Sequence, residues 1–214
     1  VFASGYEYPG RYSRWDIGFV DPPVELVSSG RRFALRALNR RGGQLIQILR
    51  LALEGHPHLC QLEQGPREVS GTIAAMPERF LEEQRSKQPT IFSVLRAIVA
   101  QMGTRRDPHL GLYGAMGYDL VFQFEPITLR HARGDAADLH LFFPDELIVV
   151  DHRKEVSTRC RYDFSFHGFS TVDLPRTGRA RACRPGRRTP LRSDHRPGEY
   201  ADKVSKVIAG TRRG

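Results

Sequence analysis

The sequence predicts an α/β (α+β) fold in which mostly antiparallel sheets are flanked by helices. Three observations support this prediction. Short runs of alternating or β-branched residues, separated by turn residues, outnumber the helical patterns. Two segments carry apolar residues at clear helical spacing. Hydrophobic residues make up 40% and charged residues 27% of the 214 positions, as in ordinary globular proteins, and no apolar run approaches the about 18 residues of a membrane span.

The first third of the chain is predicted to hold strands around one helix. Residues 14–28 are predicted as strands interrupted at the Pro22-Pro23 pair, because proline cannot donate to a central ladder. Another strand is predicted over 33–38. Apolar residues at helical spacing predict a helix over 42–55, and residues 69–74 are predicted to be extended.

Two helices and a glycine-rich strand are predicted next. Pro77 is predicted to begin an acid-first helix that runs to residue 85. Thr90 is predicted to cap a stronger helix. Its apolar face consists of Ile91, Val94, Leu95, Ile98 and Val99. Residues 110–120 are predicted to form a buried strand whose glycines permit close backbone packing, since their spacing is not that of a phosphate-binding loop.

The last third is predicted to contain more strands, a connection and a helix. Residues 138–143 and 146–151 are predicted to pair around Pro144-Asp145. A turn at 151–155 then leads into a hairpin strand over 156–164. Residues 199–211 are predicted to be helical.

Residues 168–196 lack any apolar period and are predicted to be a solvated linker. Positions 176–196 hold eight arginines and one acidic residue, a net of +7, which leaves only +2 of the total +9 for the rest of the chain. No aromatic residue is interleaved there to stack on bases, which argues against nucleic-acid binding. A local reading-frame error in a GC-rich gene is an alternative origin of this composition.

The cysteines favour a reducing compartment. The chain has an odd number of cysteines, Cys60, Cys160 and Cys183, and no two of them form a Cys-x-x-Cys motif. The His56-Pro57-His58 run near Cys60 lacks a second ligand pair at zinc spacing, so a plain loop is favoured over a metal site. The sequence has no charged-then-apolar leader, and it starts and stops within predicted patterns. We therefore expect a cytoplasmic location and a segment of a longer protein.

Aromatic rings are concentrated at the amino end, as is typical of a binding surface. Residues 1–16 hold Phe2, three tyrosines and the chain's only tryptophan, Trp15. Four stretches resemble the amino-terminal region of anthranilate synthase component I. They are YEYPGRYSRWD at 6–16, GLYGAMGYDL at 111–120, DLHLFFPDELIVVDH at 138–152 and PGEYADKV at 197–204. The first is similar to members that are fused to their glutamine amidotransferase.

This resemblance implies three parts: an amino-terminal regulatory domain at 1–167, a linker at 168–196, and the start of the chorismate-utilising catalytic domain at 197–214. It implies that the full enzyme is a carbon-oxygen lyase of tryptophan biosynthesis. The enzyme would convert chorismate and glutamine, through ammonia, to anthranilate, pyruvate and glutamate, with a glutamine amidotransferase domain or subunit as partner. The catalytic residues and the ligands of a Mg²⁺ ion are implied to lie beyond Gly214, so none is assigned in this segment.

The resemblance also implies part of a tryptophan feedback site at the amino end. Ser4 matches the serine that hydrogen-bonds the inhibitor, with Phe2, Ala3 and Gly5 beside it, and Arg14 falls where relatives carry a basic residue. A zwitterionic indole ligand needs a hydroxyl or backbone group and apolar walls, which Phe2, Tyr6 and Tyr8 can supply. The alternatives are a simple turn at Ser4-Gly5 and a surface ion pair at Arg14, beside Asp16. Gly5 is smaller than the residue expected in fused relatives.

Two other functions stay open at this stage. One is para-aminobenzoate synthase component I, which forms aminodeoxychorismate. The other is a non-catalytic ligand-binding or RNA-binding module.

Overall fold

The computed structural model describes residues 1–3, 14–76, 81–104, 107–125, 130, 134, 136–176 and 193–212, with the backbone alone at 82, 85 and 86. They form a mixed α/β fold with mostly antiparallel sheets, which confirms the predicted fold class. The strands are β1 Trp15–Gly18, β2 Val24–Ser29, β3 Arg32–Ala37, β4 Leu59–Gln64, β5 Glu68–Ile73, β6 Tyr113–Met116, β7 Leu139–Phe143, β8 Glu146–Asp151, β9 Val156–Arg161, β10 Ser165–Phe166 and β11 Phe169–Ser170. The α-helices are α1 Arg40–Leu53, α2 Ile91–Met102 and α3 Glu199–Thr211, and 3₁₀ helices span Glu82–Lys87 and Tyr118–Gln123.

The described residues fall into two compact units that divide the chain after Gly178. The second unit contains α3, whose bounds match the predicted helix and which has no buried residue. Among the described residues no helix is both long and apolar enough to cross a membrane.

The main sheet of the first unit has six antiparallel strands in the order β4-β5-β3-β2-β7-β6. Alternate residues of each strand point to the same side. On one side, side chains such as Leu26, Leu35 and Leu141 are buried against helices α1 and α2. The opposite side carries polar and aromatic residues, and we call it the open face.

An N-cap residue marks the start of each of the helices α1 and α2, and one glycine allows α1 to pack closely on a loop. The Asn39 side chain accepts a hydrogen bond from the Gly42 backbone N–H at 3.0 Å, so α1 begins two residues before the predicted start. A Cβ at Gly42 would lie 1.9 Å from the Pro23 carbonyl oxygen, so the helix packs closely on that loop. In α2, the predicted cap Thr90 is confirmed. Val99 was placed on the buried face incorrectly, since it is 54% exposed.

The pairing predicted between the strands at 138–143 and 146–151 is wrong. Strand β7 lies between β2 and β6, whereas β8 lies between β1 and β9 in a separate three-stranded sheet. The two residues between them, Pro144 and Asp145, are buried and take the chain from one sheet to the other. The hairpin from β8 to β9 is confirmed, with a positive φ at Glu155 in its turn.

Three other local predictions need correction. The segment 110–120 was predicted to be a buried strand, but it forms the mostly exposed edge strand β6 and then a 3₁₀ helix. The close backbone packing expected there is present, since a Cβ at Gly114 would lie 2.1 Å from the His140 carbonyl oxygen. Of the helix predicted over 77–85, the described part belongs to the 3₁₀ helix Glu82–Lys87, and residues 77–80 lie outside the description. Strand β4 was missed, because its mostly polar sequence has no core-facing alternation.

Residues 168–176 belong to the first unit, although the linker was predicted to begin at 168. The fully buried guanidinium of Arg41, on α1, donates hydrogen bonds from all five of its N–H groups, two of them to carbonyl oxygens of this segment. Its acceptors are the carboxylates of Asp145 and Asp163 and the carbonyl oxygens of Tyr162, Thr171 and Leu174. A buried charge is tolerated only when it is paired and hydrogen-bonded, so this network holds the segment on α1.

Candidate functional site

Four aromatic rings meet on the open face, at the edge formed by β6 and β7. We call them the aromatic cluster: Phe2, Phe19, Tyr113 and Phe142. The ring centroids lie 5.8 Å apart for Phe2 and Tyr113, 6.0 Å for Phe2 and Phe19, and 6.0 Å for Phe19 and Phe142. Such separations are favourable for tilted rings and add about 0.5–1.5 kcal/mol per pair beyond buried area.

Backbone pairing brings Phe2 into this cluster. Phe2 and Ile17 exchange two backbone hydrogen bonds of 2.7 and 2.9 Å, so the amino end lies alongside β1. Strand β1 in turn pairs with β8. The amino-terminal residues are therefore fixed to the three-stranded sheet, while the Phe2 ring lies against side chains of the six-stranded sheet.

Tyr113 is held in place at both ends of its side chain. Its backbone pairs with that of Phe142, and its hydroxyl donates a hydrogen bond to the His109 carbonyl oxygen. Burial, together with the charge of Asp107, raises the pKa of the Tyr113 hydroxyl. The hydroxyl therefore keeps its proton, and remains a donor, to higher pH than a solvent-exposed tyrosine does.

Arg14 forms an ion pair that joins β1 to β8. Its Nη2 donates to Asp151 Oδ2 at 3.0 Å, and its Nε donates to the same carboxylate at 3.3 Å. The guanidinium also lies 4.4 Å from the centre of the Trp15 ring. The hydrogen bond from Arg14 is the largest cause that lowers the pKa of Asp151 to about 2. An ion pair at Arg14 was one sequence alternative, but its partner is Asp151, whereas Asp16 contacts His152 at 2.9 Å.

His109 lies between Arg14 and the aromatic cluster. Its ring meets that of Trp15 edge-to-face at 6.4 Å, and its carbonyl oxygen accepts the Tyr113 hydroxyl. Asp107, two positions before His109 in the same loop, accepts a hydrogen bond from the Tyr162 hydroxyl at 2.8 Å. Burial and this hydrogen bond raise the pKa of Tyr162. One loop therefore connects the arginine, the single tryptophan and the cluster.

The structure describes three of the five residues predicted to bind tryptophan. Phe2 is in the aromatic cluster, the neighbouring Ala3 is exposed, and Arg14 is engaged with Asp151. Ser4 and Gly5 lie outside the described residues, as do the two proposed wall residues Tyr6 and Tyr8.

Sequence reasoning missed Phe19, Tyr113 and Phe142. A signal was present in β7, where Leu139, Leu141 and Phe143 already fill the buried side of the strand. A further aromatic residue at the alternate position 142 therefore had to lie on the other face.

The described residues do not fit a metal ion. Among them, no three His, Cys, Asp or Glu side chains converge closely enough to hold one. The Mg²⁺ ion implied for the whole enzyme therefore has no ligand set in the described part, and no chemical step is assigned to it. His58, from the run considered as a metal-like cluster, places Nδ1 at 2.8 Å from the Ser93 hydroxyl. Cys60 and Cys160 are free thiols, and Cys183 lies outside the described residues.

The fold and the site together define an α/β domain with helices on one side of an antiparallel sheet and an aromatic candidate ligand surface on the other. No protein-family model matches the chain. It is 41% identical over its whole length to an anthranilate synthase of Azospirillum brasilense, of which it covers 29%. It is also 25% identical over 64% of its length to anthranilate synthase component 1 of Vibrio cholerae, and 27% identical over 68% to that of Haemophilus influenzae, covering 26% and 28% of those proteins.

These matches confirm the resemblance to anthranilate synthase component I found in the sequence of the chain. The chain spans less than a third of the length of each of these relatives.

Proposed function

We propose that the chain is a segment of an anthranilate synthase and that it carries part of the tryptophan feedback site. The observation that carries the proposal is the aromatic cluster at the point where residues 1–3 join the sheet. The whole enzyme would be a cytoplasmic lyase that converts chorismate and glutamine to anthranilate, pyruvate and glutamate. It would require Mg²⁺. Its ammonia would come from a glutamine amidotransferase domain fused in the same polypeptide.

The chemistry of tryptophan suits this region. Its indole ring needs aromatic or apolar contacts, and its charged end needs a few well-placed polar groups. The cluster offers the ring surface. Ser4 follows Phe2 by two positions, and a chain advances at most about 7 Å over two residues. A ligand bound by the Ser4 hydroxyl and by the backbone of Ala3 and Gly5 would therefore lie close to the Phe2 ring.

We propose that Arg14 lies at the rim of the tryptophan site. Its hydrogen bonds to Asp151 already neutralise its charge, so it is poorly suited to bind the ligand carboxylate alone. Through Trp15 and His109 it is linked to Tyr113. We therefore propose that Arg14 supports the shape of the site.

The proposed site acts on chemistry carried out elsewhere in the enzyme. We place the catalytic residues and the Mg²⁺ ligands outside this chain, with the chorismate-utilising domain beginning at residue 197. The separate compact unit that contains α3 is consistent with this boundary. Tryptophan would then favour a low-activity state, with a coupling free energy of about 1–3 kcal/mol.

The test is the Ser4→Phe variant of the complete polypeptide. We expect tryptophan inhibition to be lost while the rate of anthranilate formation is kept, because a bulky ring would occupy the place of the ligand's charged end. Steady-state kinetics with and without tryptophan measure this. An unchanged inhibition constant would remove Ser4 from the site, and calorimetry that registers no tryptophan binding to the wild type would overturn the proposal.

The relatives named above are anthranilate synthases, which favours anthranilate over aminodeoxychorismate as the product. Product analysis of the complete enzyme distinguishes the two.

A further inference from the structure

We infer that Tyr113 and Phe142 form the floor on which the inhibitor's indole ring rests, and that they determine the specificity of the site for a large planar ring. This inference rests on the proposed function, because it takes tryptophan as the ligand. It adds two residues that lie more than a hundred positions from Ser4 in the sequence.

The hydrophobic core does not need the rings of Tyr113 and Phe142. In β7, Leu141 and Phe143 are buried among the core residues beneath the helices, at 4% and 2% exposure. Phe142 alternates with them and lies on the open face, where Tyr113 is its cross-strand partner. Both rings therefore lie outside the core, where Phe19 contacts each of them and leaves each partly exposed to a ligand.

The floor formed by Tyr113 and Phe142 is rigid. Strand β6 approaches β7 so closely at Gly114 that a Cβ would lie 2.1 Å from the His140 carbonyl oxygen. The Tyr113 hydroxyl is held by the His109 carbonyl oxygen, and the His140 ring lies 4.7 Å from that of Phe142. A preorganised surface loses little freedom on binding and discriminates well between ligand shapes.

The aromatic cluster is incompletely covered. Phe2 is 39% exposed, and Phe19, Tyr113 and Phe142 are only half-buried. The rings are tilted by 33–55° and do not stack face to face. A further planar ring can therefore add to the cluster at the amino end, where Phe2 leads into Ser4.

The experiment measures L-tryptophan binding to the complete polypeptide by calorimetry, together with kcat and KM for chorismate. We expect Tyr113→Ala and Phe142→Ala to weaken tryptophan binding about tenfold or more, because each removes a ring contact. Tyr113→Phe keeps the ring and should stay within about threefold of the wild type. The kcat and KM for chorismate are measured without tryptophan, so that a loss of tryptophan binding is distinguished from a loss of catalysis.

The matched control is Phe92→Ala. Phe92 pairs with Phe124 at 5.7 Å, so the variant also removes one half-buried aromatic contact, but from helix α2 on the other side of the sheet. It should leave tryptophan binding unchanged. If Tyr113→Ala does not fold, as judged by thermal unfolding, Tyr113→Leu and Phe142→Leu replace the alanine variants, with the same loss expected.

Two results would overturn this inference and leave the proposed function in place, provided that the wild-type enzyme binds tryptophan. One is that the Tyr113 and Phe142 variants bind tryptophan as tightly as the wild type. The other is that Phe92→Ala weakens tryptophan binding as much as they do. A wild-type enzyme that binds no tryptophan overturns both.

Discussion

The two faces of the six-stranded sheet differ in what their side chains do. The covered face is apolar and continuous, and its residues pack against α1 and α2. The open face carries a row of three charged residues and one histidine across four neighbouring strands, and the aromatic cluster at one end. The row consists of Glu68, Arg36, Glu25 and His140.

This difference indicates a division of roles within single strands. Burial of apolar area stabilises the fold at about 25 cal/mol per Å², and the covered face contributes most of it. Exposed ion pairs such as those of the charged row contribute about 0–1 kcal/mol each. Because the fold depends little on the open face, its residues are available for recognition. The predictions below test this contrast, beginning with the largest effect.

The largest effect is expected at Arg41, on the covered side. Arg41→Met would leave the buried Asp145 carboxylate without its partner and free residues 162–174 from α1. Breaking a buried pair by removing one partner costs about 3–5 kcal/mol. Urea unfolding measures the loss.

The control for this change is Arg159→Met, which removes an exposed arginine paired with Glu146. It should lower the free energy of unfolding by less than about 1 kcal/mol. Equal losses at the two arginines would show that burial does not distinguish them.

A smaller effect is expected within strand β2, where adjacent residues lie on opposite faces. Leu26 is fully buried on the covered face, and Leu26→Ala should cost about 2–5 kcal/mol, because it leaves a cavity in the core. Val27 lies on the open face, and Val27→Ala should cost less than about 1.5 kcal/mol, since it removes only a half-buried side chain. Urea unfolding of the two variants under one set of conditions gives the comparison. If Val27→Ala is as destabilising as Leu26→Ala, the open face is part of the core.

The covered face is also the part that the sequence predicted best. The apolar spacing of α1 and α2 follows from burial along one side of a helix, and in α2 it placed Ile91, Val94 and Ile98 correctly. Strand β4 was not predicted, because an edge strand with mostly polar residues shows no alternation of apolar and polar positions. The separation of β7 and β8 into two sheets was not predicted, because both strands are apolar and their pattern does not record that the chain changes sheets at Pro144 and Asp145.

The candidate site was less predictable, because it is made by contacts between distant positions. Phe2 was found through a family resemblance, whereas Tyr113 and Phe142 meet it only once β6, β7 and the amino end are assembled. Arg14 shows the same difficulty. Its neighbour Asp16 suggested an ion pair, but strand pairing places Asp151 opposite Trp15 and gives Arg14 a partner 137 positions away.

The smallest effect concerns this pair between Arg14 and Asp151. The folded-state pKa of Asp151 is lowered from 3.8 to about 2. A lowered carboxylate pKa contributes stability above the unfolded-state pKa, and this contribution is lost as the pH falls through the folded-state value. Asp151→Asn should therefore lower the Tm slightly at pH 6, and the difference from the wild type should shrink between about pH 4 and pH 2. The contribution is small because the pair is partly exposed and screened by solvent. Thermal unfolding of the wild type and the variant at pH 6 and at pH 2 measures this difference in Tm. A difference that stays constant down to pH 2 would show that Asp151 acts through packing rather than through its charge.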